Sequence, residues 1–151
     1  MLSRKAKYGV KALIYLAQKY GRGNVLIADL SQKERIPQKF LELILLELKH
    51  QGILQSKKGK GGGYLLGRAP SQIMVGHIVR ILNGPLAPVS CVSQTAYQKC
   101  EECLDEHTCG IKSIMQEVRD AMANILDHTS LADLLKRSEK VEHQNTLNYQ
   151  I

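Results

Sequence analysis

Residues 36–67 constrain the fold more than any other stretch of the chain. Pro37 opens a helical pattern in which apolar residues recur at three- and four-residue steps, so one face of this helix is expected to be buried. The apolar residues of that face are Leu41, Ile44, Leu45 and Leu48. A shorter helix, expected over residues 27–33 with Ala28 and Leu30 facing inward, precedes it across a tight turn. Two helices joined in this way predict a helix-turn-helix.

A β-hairpin is expected directly after this unit. Residues 53–56 and 64–67 have strand character, and the string KKGKGGG between them has the composition of a turn. Its glycines let the backbone approach a surface closely, and its lysines favour a negative surface. A basic hairpin after a helix-turn-helix predicts the wing of a winged-helix DNA-binding domain. A nucleotide-binding glycine loop is disfavoured because a strand follows the glycines and the GKS or GKT ending is missing.

Further helices are expected on both sides of the hairpin. Ser3 should cap a first helix that ends near Tyr20. Pro70 and Ser71 should start another helix, which Gly84 would end. The fold class is therefore mainly α with a small β-hairpin wing: a winged helix-turn-helix domain over residues 1–84, joined to a long dimerisation helix.

The remainder of the chain divides into three segments. A cysteine-rich sensor loop is expected over residues 85–110. A dimerisation helix and a short C-terminal helix, capped by Ser130 and Asp133, should fill 111–137. Residues 138–151 are polar without periodicity, which predicts a mobile tail.

The long helix carries a wide apolar stripe. Its members are Ile111, Ile114, Met115, Val118, Met122, Ile125 and Leu126. Packing against the helix's own domain is one explanation, but few other long elements remain to cover it. Pairing with the same helix of a second chain, as a two-fold homodimer, is the favoured interpretation.

Charge is divided unevenly along the chain. Residues 1–70 carry fourteen Lys/Arg and four Asp/Glu, a balance of +10, whereas residues 71–151 carry seven and ten, a balance of −3. The first half is thus expected to bind a polyanion. The alternative is that the protein is an interaction module whose basic half binds an acidic protein. No apolar run reaches eighteen residues, so no membrane span is expected and a cytoplasmic location is predicted.

Contacts to double-stranded DNA are expected from three places. Lysines of the first helix and of the wing should neutralise phosphates, and the exposed start of the third helix should face base edges. The candidates are Ser3, Lys5, Lys7, Lys11, Gln38, Lys39, Phe40, Glu42, Lys57, Lys58 and Lys60. Glu42 would repel phosphate and accept from cytosine, so its expected role is to select sequence rather than to strengthen binding.

All four cysteines lie within nineteen residues of a polar, acidic loop: Cys91, Cys100, Cys103 and Cys109. Disulfides rarely persist in the cytosol, so metal ligation or redox sensing is expected. Soft thiolates suit an iron–sulfur cluster, zinc or copper(I). Zinc ribbons pair two CxxC knuckles and this chain has one, so structural zinc is a rival hypothesis. A thiol oxidoreductase is disfavoured because the CxxC pair does not follow a strand at a helix N-terminus; no enzyme is predicted.

Five stretches resemble the Rrf-two family of winged-helix transcription regulators, in particular its IscR-like and NsrR-like members. They are KYGVKALIYLA, IPQKFLELILLELKHQGIL, KGKGGGYLLGRAP, IMVGHIVRILNGPL and TSLADLL, and the resemblance covers about residues 1–136. It implies a homodimer on a palindromic operator, with recognition helices in the major groove and wings over the minor groove. Glu42 matches a family position tied to operator choice, and Lys58 matches one that would reach the minor groove.

The resemblance also implies that members with a cysteine loop bind an iron–sulfur cluster through three thiolates. Other members respond through a thiol switch or a partner protein. Cys103 and Cys109 have the family spacing, and Cys91 would be the first ligand, which leaves Cys100 as a fourth ligand, a replacement for Cys103 or a resolving thiol. The family's fourth ligand is absent, since Lys112 and Lys7 occupy the equivalent positions. Cys100 is the expected substitute and His107 the second choice.

Overall fold

The computed structural model describes residues 2–149 of the 151-residue chain. Its elements are α1 (Arg4–Gln18), α2 (Ile27–Glu34), α3 (Gln38–His50), β1 (Leu54–Lys57), β2 (Gly63–Leu66), α4 (Val75–Asn83), α5 (Gly110–Asp127) and α6 (Leu131–Asn148). The expected mainly helical fold with one small hairpin is confirmed. Within the described range, no helix combines the length and the apolar character needed to cross a bilayer. We call residues 2–84 the head.

The first three helices of the head share one hydrophobic core. The Ser3 hydroxyl oxygen accepts a hydrogen bond from the Ala6 backbone N–H at 3.1 Å, so the expected cap of α1 is confirmed. The four apolar residues expected on one face of α3 are all buried: Leu41, Ile44, Leu45 and Leu48. On α2, Leu30 is buried, but Ala28 is exposed, contrary to the prediction.

A tight turn joins α2 to α3. Arg35 ends α2 in the left-handed conformation, with a φ of 54°. The Ser31 hydroxyl donates to the Ile36 carbonyl oxygen at 2.6 Å, and the Ile36 N–H donates to the Ser31 carbonyl oxygen at 3.0 Å. Pro37 then stands at the N-cap of α3. These contacts fix the relative direction of the two helices.

The wing is an antiparallel hairpin in which Leu54 pairs with Leu66 and Lys57 with Gly63. The segment before α2 adds a further pairing, because Val25 and Tyr64 exchange two backbone hydrogen bonds of 2.8 Å. At Gly63 a Cβ atom would lie 2.2 Å from the Val25 carbonyl oxygen, and φ is +142°. The packing of the hairpin itself therefore requires this glycine, independently of any approach to DNA.

Helix α4 begins later than predicted. Pro70–Gln72 forms only a short 3-10 turn, and the α-helix starts at Val75. The Val75 N–H donates to the Thr129 carbonyl oxygen at 2.8 Å, and the Leu131 N–H donates to the Ile73 carbonyl oxygen at 2.9 Å. This pairing with a distant segment holds residues 73–75 extended. The predicted start at Pro70 and Ser71 was wrong for that reason.

Helix α6 is longer than predicted. Its capping box is confirmed, since Ser130 and Asp133 each accept a hydrogen bond from the other's backbone N–H. Leu131 is fully buried in the core of the head. The helix continues to Asn148, so the prediction of a short C-terminal helix was wrong, whereas the expected mobility of residues 138–151 stays a prediction. Gln150 and Ile151, the end of the expected tail, lie outside the described residues.

Candidate functional site

The outer face of α3 presents the expected polar side chains. Gln38, Lys39 and Glu42 are exposed on the side away from the buried face. Two leucines on this helix are also exposed, Leu43 at 64% and Leu46 at 43%. Neither leucine was among the predicted DNA contacts, although both lie outside the buried apolar repeat of α3 in the sequence.

Two DNA-contact candidates make contacts inside the head. Phe40 is half-buried and packs edge to face against Tyr8, with ring centroids 5.6 Å apart. Lys5 forms an ion pair with Glu47 of α3. Both contacts join α1 to α3 and thereby orient α3.

The other DNA-contact candidates on α1 differ in whether their polar groups already form hydrogen bonds within the head. The Ser3 oxygen caps the helix, and its backbone N–H donates to Asn83 Oδ1 at 2.8 Å, which ties α1 to the end of α4. Lys11 Nζ donates to the Glu34 carbonyl oxygen at 2.8 Å and so stabilises the end of α2. Lys7 is exposed. The wing lysines Lys57, Lys58 and Lys60 are likewise exposed at and beside the hairpin turn.

The cysteine loop surrounds a cavity of about 500 Å³, and all four cysteines line it. Each cysteine is a free thiol; Cys100 is exposed, and the other three are half-buried. His107, the second choice for a ligand, is exposed and does not line the cavity. The structure thus brings together all the cysteines and leaves the histidine outside.

Helix α5 holds both ends of the cysteine loop. Cys109 is its N-cap residue, and its Sγ accepts a hydrogen bond from the Lys112 N–H at 3.4 Å. Cys91 lies in a 3-10 turn over Ser90–Val92. Arg119 of α5 donates to the carbonyl oxygen of Val92 at 2.7 Å. The positions of the first and last cysteines therefore both depend on α5.

A polar network stands beside the cavity. The Tyr97 hydroxyl donates to the Glu106 carboxylate, which raises the pKa of Tyr97 to about 12 and lowers the pKa of Glu106. Lys112 Nζ lies 3.5 Å from Glu106 Oε2 and 5.7 Å from the centre of the Tyr97 ring. The sequence analysis missed this network because a loop without periodicity gives no signal for it.

The surroundings of the thiols bear on what the cavity can hold. Desolvation raises the pKa of the Cys103 thiol, and the nearby Cys109 and Cys100 raise it further. Among residues 2–149, no three Cys, His, Asp or Glu side chains converge as one metal ion would require. The ligands of an iron–sulfur cluster attach to separate irons and need not converge on one point. In residues 2–149, the four thiols line one cavity without converging on a single point.

An ion pair connects α5 to the head. The two terminal guanidinium nitrogens of Arg80, on α4, donate to the Asp127 carboxylate, at 2.5 and 2.9 Å. At Gly76 a Cβ atom would lie 2.0 Å from Asp127 Oδ1, so a larger residue there would displace the Asp127 carboxylate from its present position. Helix α5, which positions the cysteines, is thus joined to α4, which contacts α1.

Comparison with known proteins shows the family to which the chain belongs. Residues 2–137 match the sequence model of the Rrf2 family, described as iron-dependent transcriptional regulators. The chain belongs to the Rrf2 family. An rrf2-like HTH-type transcriptional regulator of Rhodobacter capsulatus is 37% identical over 138 residues, which cover 89% of this chain and 92% of that protein.

Two solved Rrf2-family structures are similar over nearly the whole chain. CymR, the global cysteine regulator of B. subtilis, has a TM-score of 0.76 at 31% identity, covering 91% of this chain and 97% of that one. T. potens IscR has a TM-score of 0.73 at 30% identity, covering 93% and 90%. The predicted family and its winged-helix fold are confirmed. These relatives are named as regulators, not enzymes.

Proposed function

We propose that this protein is a homodimeric repressor that binds a palindromic operator and responds to an iron–sulfur cluster, or to redox state, at its cysteine loop. The observation that carries the proposal is the single cavity lined by all four cysteines, held by the helix that is ion-paired to the head. Because its target is DNA, we place the protein in the cytoplasm.

Operator binding is supported by the exposed faces of α3 and the wing. In a helix-turn-helix, the N-terminal residues of the second helix contact base edges in the major groove. Gln38, Lys39 and Glu42 occupy that part of α3. Lys57, Lys58 and Lys60 would neutralise phosphates, with Lys58 extending towards the minor groove.

Dimer formation is supported by the surface of α5. None of the helix's eighteen residues is buried in the described chain. Three exposed apolar side chains follow one another at three- and four-residue steps, Ile111, Ile114 and Val118, and Ile125 is exposed two turns further along. The same stripe on a second copy would cover them and would set two heads on two half-sites.

The cluster would be held by Cys91, Cys103 and Cys109, with Cys100 as the fourth ligand. Lys112 lines the cavity where the family resemblance implies a histidine, and its ammonium group has no lone pair to offer a metal. A bound cluster would supply an oxidation- and iron-sensitive link between the two ends of the loop. Arg119 and the N-terminus of α5 would keep the loop ends in place.

A cluster-free thiol switch is the second candidate function. The closeness of Cys103 to Cys100 and Cys109 favours it, because neighbouring thiols can form a disulfide when oxidised. Regulation through a partner protein and structural zinc remain further alternatives. The thiol switch and both of these alternatives predict that the purified protein contains no iron.

Anaerobic purification followed by iron, sulfide and zinc analysis tests the proposal. We expect brown protein that contains iron and sulfide, and loss of its visible absorbance in Cys91→Ala, Cys103→Ala and Cys109→Ala. Cys100→Ala should shift the spectrum if another donor replaces the fourth thiolate. Colourless, iron-free wild-type protein purified without oxygen would exclude the cluster. Zinc in its place would favour the structural site.

A further inference from the structure

The outer face of α3 carries an exposed apolar side chain that the polar base contacts do not explain. Leu43 is 64% exposed, one helical turn beyond Lys39 and next to Glu42. Its neighbours Leu41, Ile44 and Leu45 are fully buried. Their burial fixes the rotation of α3 about its axis, so Leu43 points away from the head towards whatever α3 binds.

The charge around Leu43 indicates what that binding partner is. Lys39 shares its face, and three exposed lysines occupy the wing of the same head. A basic surface of this kind favours a polyanion over an apolar protein groove. In the major groove of DNA, the distinctive apolar group is the C5-methyl of thymine, which apolar side chains contact.

We infer that Leu43 contacts the C5-methyl group of a thymine in each operator half-site and selects thymine at that position. The inference rests on the proposed operator binding. It adds an apolar contact to the hydrogen bonds available to Gln38 and Glu42. The position also suits the role, because Leu43 is the sixth residue of α3 and lies in its N-terminal half.

Uracil substitution tests this contact directly, since deoxyuridine pairs like thymidine and lacks only the methyl group. An operator is first selected from a random duplex pool with the wild-type protein. Each thymine is then replaced in turn, and affinity is measured for the wild type and for Leu43→Ala. Leu26→Ala is the matched control, because Leu26 is 50% exposed but lies before α2.

We expect one thymine in each half-site to respond. Loss of one buried methyl should weaken wild-type binding about fourfold per half-site and about fifteenfold when both are replaced. Leu43→Ala should bind the thymine and uracil operators equally, whereas Leu26→Ala should discriminate like the wild type. Unchanged thermal melting of Leu43→Ala will show that the variant is folded.

Two results would overturn the inference: a uracil scan without a sensitive position, or equal sensitivity in Leu43→Ala and the wild type. The second would mean that another residue contacts the methyl group. If the wild-type protein selects no duplex at all, the proposed operator binding itself fails. The failure of the inference and the failure of the proposed function are therefore distinguishable.

Discussion

The head and helix α5 differ in how they use apolar residues. In the head, α3 buries four leucine and isoleucine side chains completely, and Leu13, Ile53 and Ile78 add to the same core. Along α5, by contrast, eighteen residues include no buried side chain, although the helix is apolar along one stripe. The core residues of the head are therefore covered within the chain itself. The surface of α5 is where the proposed dimer would form, and the adjoining cavity is where the proposed cluster would bind.

Replacing Val118 by Asp should give the largest effect, because it puts a charge in the middle of the exposed α5 stripe. We expect a monomer, and operator affinity about a hundredfold lower because the two half-sites are no longer bound together. Analytical ultracentrifugation and operator titration measure the two effects. Gln116→Asp, on the opposite side of α5, is the control. A Val118→Asp protein that stays dimeric would show that the stripe is not the interface.

Arg119→Ala should make Cys91 more mobile and therefore more reactive. The change removes the charged hydrogen bond to the Val92 carbonyl oxygen, which contributes about 1.5 kcal/mol. In reduced, metal-free protein, Cys91 should then react with iodoacetamide about tenfold faster, as peptide mass spectrometry can follow. Cys100, already exposed, serves as the internal control and should not change. An unaltered Cys91 rate would mean that α5 does not hold the loop.

Lys58→Ala tests the wing. Binding should weaken on all duplexes alike, and the slope of log K against log salt should flatten by about one unit because one phosphate contact is lost. Salt titrations with the operator and with an unrelated duplex measure this. Lys136→Ala on α6 is the control and should keep the wild-type slope. An unchanged slope in Lys58→Ala would remove this lysine from the interface.

Asp127→Asn tests the link between the two regions and should have the smallest effect. Arg80 holds the pKa of Asp127 below its usual value, so the carboxylate stabilises the fold above about pH 4 and that contribution is lost as pH falls. Because both side chains are more than a third exposed, we expect a loss of only about 1 kcal/mol at pH 7. Denaturant unfolding should show that the gap in unfolding free energy between the wild type and Asp127→Asn narrows towards pH 3.5. A gap independent of pH would contradict the ion pair.

The same contrast explains what could be predicted from the sequence. The stripe of α3 and the glycine-rich hairpin carry local signals, periodicity and turn composition, and both were predicted correctly. The start of α4 was not, because Val75 and Ile73 bond to backbone groups of Thr129 and Leu131, more than fifty residues away. No local pattern reports such a pairing.

The length of the last helix was predicted wrongly for a different reason. All described side chains beyond Ser138 are exposed, so the helix to Asn148 has no apolar periodicity to reveal it. At the cysteine site, the residue type singled out the four side chains that line one cavity, and their role as ligands stays a prediction. The contact of Arg119 with Val92 and the contact of Tyr97 with Glu106 depend on how an irregular loop folds, and no sequence pattern indicates either of them.

The most direct test of control by the cysteine loop is the operator affinity of one anaerobic preparation, measured before and after a chelator removes its iron. Typical coupling energies of about 1–3 kcal/mol predict that the two affinities differ by about five- to 150-fold. The difference should disappear in Cys103→Ala. Equal affinities with and without the cluster would contradict the claim that chemistry at the cysteines controls DNA binding.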